Sequence, residues 1–296
     1  PATIEKRKKM GLSQHPTDCE LEALAQTWSE HCKHKIFNAN IDYQDELGNH
    51  LPIKSLFKTY ISATTSALQE NHPELLSVFV DNAGIIEFDA ETLFTMKVET
   101  HNSPSALDPY GGAMTGIVGV NRDIIGAGMG ARPIFNTDMF CFAYPDYDGK
   151  LYPNMLHPRR IFAGVHRGVK DGGNESGIPT INGSITFDNR YLGKPLVFCG
   201  TGGLMPKVSA DRDNHQKHFQ KGDRIVMCGG RIGKDGIHGA TFSSLELTEE
   251  SPTSAVQIWD PITQKKMLDF LMQARDLFLS SGITDNVAGV LSSSVG

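Results

Sequence analysis

Between Lys97 and Asp123 the chain reads K-V-E-T-H-N-S-P-S, then P-Y-G-G, then N-R-D. A cation, two carboxylates, an imidazole, an amide and small hydroxylated residues are crowded into this stretch. Glu99 and Asp123, set beside Lys97 and Arg122, make a pattern suited to a metal ion plus a phosphate. Pro104, Pro109 and Gly111-Gly112 predict a break in regular structure, where backbone N–H groups can approach an anion closely. The competing reading is a polar loop with two prolines.

The elements that must position these groups are legible from periodicity. The run Leu93 to Val98 alternates and predicts a strand that ends at Glu99. Upstream, Pro16-Thr17 opens a helix with Glu20 as capping-box partner and Leu21, Leu24, Ala25, Trp28 and Cys32 at helical spacing. His31 lies at the edge of that face and at the helix end. It reads either as a dipole partner or as a ligand contact. Lys33-His34-Lys35 is either a solvated helix end or a phosphate contact. Residues 1–15 are charged, then turn-like, and are expected to fray.

A second helix is predicted over Ser55 to Gln69, and short strands around Val78-Phe79-Val80 and Ile85-Ile86. Past the central stretch, Ile117 to Val120 predicts a strand and Gly126, Gly128 and Gly130 a turn-rich connection. Met139 to Tyr144, Ile178 to Phe187 and Leu196 to Leu204 read as strands, and Pro158 to Val169 as a helix. Asp211 to Lys221 is a polar boundary, after which Arg224 to Gly230 predicts a strand. Gly233 to Gly239 is either a phosphate cradle or a hairpin. Thr263 to Ser281 predicts a helix closed by Gly282. Asp285 is either a metal ligand or the start of an Asx-turn.

The 296 residues, 39% hydrophobic and 21% charged with 30 glycines, describe an α/β or α+β chain with room for a sizeable core. A net charge of −6 argues against a general nucleic-acid binder. The five cysteines show no C-x-x-C spacing, so neither zinc nor a disulfide framework is predicted, and a reducing cytoplasm fits. No apolar run approaches the roughly 20 residues of a membrane span. The chain starts at a proline and stops at Ser294-Val295-Gly296, which we read as a fragment.

Several stretches, in order, resemble the formylglycinamide ribonucleotide amidotransferase (phosphoribosylformylglycinamidine synthase) family. They are P-T-D-C-E-L with W-S-E-H-C-K-H-K (16–35), D-N-A-G (81–84), K-V-E-T-H-N-S-P-S-A with P-Y-G-G-A (97–113), R-D (122–123), G-A-R-P (130–133), A-V-Q-I-W-D-P (255–261), I-T-D-N (283–286) and L-S-S-S-V-G (291–296). The resemblance implies a carbon–nitrogen ligase of purine biosynthesis. It would convert formylglycinamide ribonucleotide to the amidine, using ATP, Mg2+ and ammonia delivered from glutamine by a glutaminase domain or subunit.

The fold implied is that of aminoimidazole ribonucleotide synthetase: an N-terminal α/β domain with a mixed sheet that pairs with its like, and a C-terminal α/β domain alongside. The expected partition is a helical leading segment over 1–72, the N-terminal domain over 73–207 and a truncated C-terminal domain over 208–296. The second synthetase half would be the missing partner, with a homodimer of the fragment as its substitute.

Carried over position by position, His31 and His101 are the implied catalytic histidines, and His34 and Lys97 the ATP contacts. Thr100, Asn102, Ser103, Arg122 and Gln257 fall at substrate-contacting positions, and Glu99, Asp123 and Asp285 at magnesium ligands. The chemistry would be activation of an amide oxygen by phosphorylation, then displacement by ammonia, with a histidine taking the proton. Ser103 stands where the family carries a second histidine, and Val287 and Val290 stand where it carries glycines. The competing readings are a non-catalytic nucleotide-binding or dimerising half-enzyme, and another ATP-using enzyme of the superfamily, such as a small-molecule kinase.

Overall fold

The computed structural model describes residues 2–209, 211–230, 238–248, 251, 253 and 256–286. Helix α1 (Ala2–Lys9) occupies the stretch expected to fray. Arg7 is the reason: it grips the Glu20 carboxylate at 2.8 and 3.0 Å and donates to the carbonyls of Ser13 and His15. Helix α2 (Asp18–Thr27) carries the predicted capping box between Thr17 and Glu20. The predicted single helix then divides, because Ser29 is extended and caps a separate turn, α3 (Glu30–Lys33), by accepting from the Cys32 N–H. The apolar stripe of α2 is not its buried side: Leu24 and Trp28 are exposed, while Gln26 and Ser29 are buried.

A hairpin follows, β1 (Asn40–Gln44) with β2 (His50–Lys54), and then a π-helical turn, Phe57–Ser62, running into α4 (Ala63–Gln69) over the predicted helix. The main sheet comprises β3 (Leu75–Ser77), β4 (Gly84–Glu87) and β5 (Thr92–Thr100). After α5 (Asn102–Leu107) and α6 (Pro109–Ile125) come β6 (Arg132–Phe142), α7 (Pro158–Ser176), β7 (Thr180–Phe187) and β8 (Leu196–Pro206). Strand order is β3-β4-β5-β8-β6-β7, with only β6 and β7 parallel, joined by the α7 crossover. Residues 78–80, expected in a strand, are bends beyond the end of β3.

Helix α6 replaces both the loop expected around Gly111-Gly112 and the strand expected at Ile117 to Val120. Asp108 caps it by accepting from the Gly111 N–H at 3.2 Å, and Pro109 occupies its first turn, where no N–H is missed. Ile117, Val118, Val120 and Ile124 are all fully buried. A helix enclosed on nearly every side has no polar face, so its periodicity vanishes and it reads as a strand. Its Gly112 and Gly116 are contact points. A Cβ on Gly112 would lie 2.5 Å from the Pro104 carbonyl carbon, and one on Gly168 of α7 would run into the Tyr110 carbonyl oxygen.

One core joins Ala113, Ile117 and Val120 of α6 to Ile161 and Val165 of α7 and to Phe142, Val197 and Cys199 of the sheet. A second gathers Ile85, Leu93, Ile124 and Met205. On the opposite face of the sheet Met96, Val98, Met139 and Ile185 remain partly exposed.

Beyond β8 come β9 (Val208–Ser209), β10 (Arg212–Asp213), α8 (Gly239–Ser243) and α9 (Pro261–Asp276). Arg224 to Gly230 is not the predicted strand: it joins no ladder among the described residues, and Ile225 and Val226 are exposed. Helix α9 starts on the Asp260 cap and buries Leu268 and Met272 against Ile125. It ends at Asp276, before the predicted Ser281, leaving Phe278 and Leu279 exposed beyond it. Most of the Gly233 to Gly239 loop, together with Val287, Val290 and the 291–296 run, lies outside the described residues.

Candidate active site

Strand alternation builds the site. Leu93 and Thr95 of β5 face the helices and are buried, so the period of two sends Lys97 and Glu99 to the same side, toward α6. There Lys97 Nζ lies 3.3 Å from Glu99 Oε1 and 3.8 Å from Asp123 Oδ2, and donates to the Asn82 carbonyl at 3.0 Å. Asn82 also donates through Nδ2 to Asp123 Oδ1 at 3.3 Å.

Burial pushes the Asp123 carboxyl up to about 7; Lys97 opposes the shift, while Asp285 and Glu99 add to it. Burial pulls Lys97 down, but Asp123 and Glu99 outweigh it and hold the ammonium above its ordinary range. The cluster is short of positive charge.

Two histidines face this cluster. His101, at the start of α5, is placed by its N–H to the Val197 carbonyl at 2.8 Å. Its Nδ1 is buried without a hydrogen-bond partner. Burial pushes its pKa down to about 4, the Gly112 backbone opposing, His31 and Arg122 adding. His31, from α3, has its pKa lowered by the protein around it, with Glu99 opposing and His34 and Lys97 adding, while one side stays open to solvent. Both rings therefore favour the neutral form at neutral pH.

Arg122, one residue before Asp123 on α6, donates through Nε to Asp285 Oδ1 at 2.6 Å and through Nη1 to Gln264 Oε1 at 3.2 Å. The Trp259 ring lies 3.8 Å from its Cζ. Asp285 is thus spent on an ion pair with Arg122. Ser103 is buried and donates to the Ser243 carbonyl at 3.0 Å, while Asn102 Oδ1 accepts from the Val197 N–H at 2.8 Å. Thr100 is exposed at the end of β5, and His34 is exposed in a left-handed cap of α3. The Gln257 carbonyl accepts from Thr115 Oγ1 at 2.6 Å.

The geometry therefore gathers Lys97, Glu99, Asp123 and Arg122 with His31 and His101, and turns Asn102 and Ser103 toward the protein. Asn82, Trp259 and Gln264 are the partners that sequence reasoning passed over. Asn82 and Trp259 lie in D-N-A-G and A-V-Q-I-W-D-P, so the motifs marked the places without giving the contacts.

Glu99 and Asp123 fit a divalent cation: hard oxygens, one of them on a buried carboxyl that a cation would discharge. Among the described residues no group of three His, Cys, Asp or Glu could hold such an ion unaided. The remaining ligands would be water and phosphate oxygens, the coordination Mg2+ favours.

A six-stranded mixed sheet backed by α6 and α7, with a charged cluster where β5 meets α6, is the architecture of the AIR-synthase-related class. Residues 80–205 match the family described as AIR synthase related protein, N-terminal domain, and residues 3–35 match the formylglycinamide ribonucleotide amidotransferase linker domain. Along nearly its whole length the chain is similar to phosphoribosylformylglycinamidine synthases.

It is 37% identical over 280 residues to the phosphoribosylformylglycinamidine synthase subunit PurL of Thermoplasma volcanium, covering 94% of this chain and 33% of that one. Among solved structures, T. maritima PurL complexed with FGAR superposes with a TM-score of 0.63 at 27% identity, over 95% of this chain and 38% of that one. T. maritima PurL complexed with ATP gives 0.59 at 25% identity, over 99% and 39%. The chain spans about a third of the length of the relatives it matches. Among the described residues no helix is long and apolar enough to cross a membrane.

Proposed function

We propose that this chain supplies the nucleotide and substrate groups of an ATP- and Mg2+-dependent synthetase that converts formylglycinamide ribonucleotide to its amidine with ammonia. The observation that carries the reading is the Lys97, Glu99 and Asp123 cluster, short of positive charge and faced by two neutral histidines.

Each group has a task that its surroundings allow. Lys97, held charged between two carboxylates, offers its ammonium to phosphoryl oxygens of ATP, with His34 at the open edge. Glu99 and Asp123 would hold Mg2+, which when bound offsets charge on the transferred phosphoryl group. His101, neutral at pH 7, accepts a proton from attacking ammonia, and His31 assists from the open side. Arg122, Thr100 and Gln257 contact the ribonucleotide, while Asn102 and Ser103 set the loop that carries His101. Asp285 acts through Arg122; as a metal ligand it would have to exchange that partner.

Ammonia would come from a glutaminase domain or subunit. The partly exposed apolar face of the sheet, with Met96, Val98, Met139 and Ile185, supports pairing with a second synthetase half or with another copy of this chain. The partition into 1–72, 73–207 and 208–296 is part of the same proposal.

Calorimetric titration of ATP with and without Mg2+ tests the reading. Magnesium-dependent binding that is lost in Glu99→Gln and in Asp123→Asn supports it. Binding that ignores both substitutions places the nucleotide elsewhere. A second reading, binding without turnover, draws on Ser103 and Asp285 being engaged internally; ammonia-dependent turnover would exclude it.

A further inference from the structure

Arg122 is gripped on three sides. Its Nε donates to Asp285, its Nη1 donates to Gln264, and its face rests on the Trp259 ring at 3.8 Å. A guanidinium carries more N–H groups than these contacts use, and Nη2 has no hydrogen-bond partner among the described residues. The same indole reaches the other way, its Nε1 donating to Gln257 Oε1 at 3.2 Å. An indole N–H can only donate, so this contact fixes which end of the Gln257 amide is oxygen. The end left over is Nε2, a donor.

One side chain thus touches two groups and leaves both presenting donors. The segment that carries it is pinned along one stripe of α6. Thr115 donates to the Gln257 carbonyl, Gln264 Nε2 donates to the Val118 carbonyl at 2.7 Å, and Arg122 follows on the same side. Nothing else in the contact set of Arg122 covers a face of its plane among the described residues.

We propose that Trp259 is a positioning residue that holds Arg122 and Gln257 as a preset donor pair for an acceptor-only group, the phosphate of the ribonucleotide. The inference rests on the substrate reading given above. Phosphate oxygens accept and never donate unless protonated, so a donor-only pair matches them and rejects a ligand end that must itself donate. An arginine and a glutamine free to rotate would lose that freedom on binding; stacked and hydrogen-bonded to a rigid indole, they have already lost it.

The test is calorimetric titration of the 296-residue chain, as it is and as Trp259→Phe and Trp259→Ala, with formylglycinamide ribonucleotide and separately with magnesium-ATP. Loss of the indole is expected to weaken ribonucleotide binding roughly tenfold, the cost of ordering on binding two side chains that the indole otherwise holds fixed. Trp259→Phe keeps the stack, loses the N–H and falls between. Inorganic phosphate, used as a competitor, displaces the ribonucleotide from the unsubstituted chain, and magnesium-ATP affinity is unchanged in both variants.

Equal ribonucleotide affinity in all three chains would overturn the proposal and leave the substrate reading standing. A parallel fall in magnesium-ATP affinity would reduce Trp259 to a packing residue. An unsubstituted chain that binds magnesium-ATP but no ribonucleotide would overturn the substrate reading, and this inference with it.

Discussion

Arg122 and Asp285 meet at 2.6 Å across 163 positions of sequence, and both side chains are largely buried. The pair ties the segment after α9 to the middle of the buried helix α6. Removing one partner strands the other charge in a poorly solvated place, so Asp285→Asn should cost about 3 kcal/mol in urea unfolding. A variant as stable as the parent would show that Asp285 does not serve to anchor Arg122.

Lys97 neutralises a site with more acid than base. Its replacement by methionine should destabilise the fold by about 2 kcal/mol at pH 8 and by less at pH 5. The sign follows from Asp123, whose carboxyl lies at about 7 and is therefore protonated in acid, where it needs no cation. Denaturation midpoints at the two pH values give the comparison. An equal loss at both would mean that Asp123 stays ionised throughout.

Asp138 offers a second pH lever away from this cluster. It is buried on β6, accepts from Thr180 Oγ1 at 3.2 Å, and has an unpartnered Oδ1. Burial raises its carboxyl to about 6, with Thr180 and Cys199 hydrogen bonds opposing. A carboxyl raised on folding contributes stability below its unfolded value near 3.8, and that contribution is lost as pH climbs through 6. Asp138→Asn should therefore gain about 1–2 kcal/mol on the parent at pH 8 and little at pH 4. Unfolding curves at those two pH values decide it, and a gain that ignores pH would refute the assignment.

Gly112→Ala tests the join of α5 and α6. The added Cβ would meet the Pro104 carbonyl carbon at 2.5 Å and the Ser105 nitrogen at 2.6 Å, both backbone atoms that cannot swing aside. A loss of about 3 kcal/mol is expected, with the His101 loop displaced. Thermal melting measures the first and nucleotide titration the second. Wild-type stability would mean that the two helices separate freely.

Local rules made part of this structure legible. The Thr17–Glu20 box needs only residues three apart, and strands β5, β7 and β8 carry their own alternation or turn signals. Lys97 and Glu99 were readable as a pair because two positions along a strand share a face. Helix α6 was not, because its burial erased the polar stripe that distinguishes helix from strand. Helix α1 depends on Arg7 finding Glu20, and the grip on Arg122 depends on Trp259, Gln264 and Asp285 arriving from far along the chain. Motif resemblance marked where those residues lie; only the folded chain shows which of them touch.

Strand β8 is the sixth strand of the sheet in sequence yet sits between β5 and β6, pairing with both. A ribosome delivers this chain from one end, so until residues 196–206 emerge the sheet exists only as two unjoined halves. The wait extends to the chemistry. Val197 receives the His101 N–H on its carbonyl and gives its own N–H to Asn102, so the histidine loop has no fixed address until the last strand slots in. A nascent chain halted before Leu196 would hold most of the charged groups but not the strand that seats the histidine beside them, which ties assembly of the site to completion of the domain.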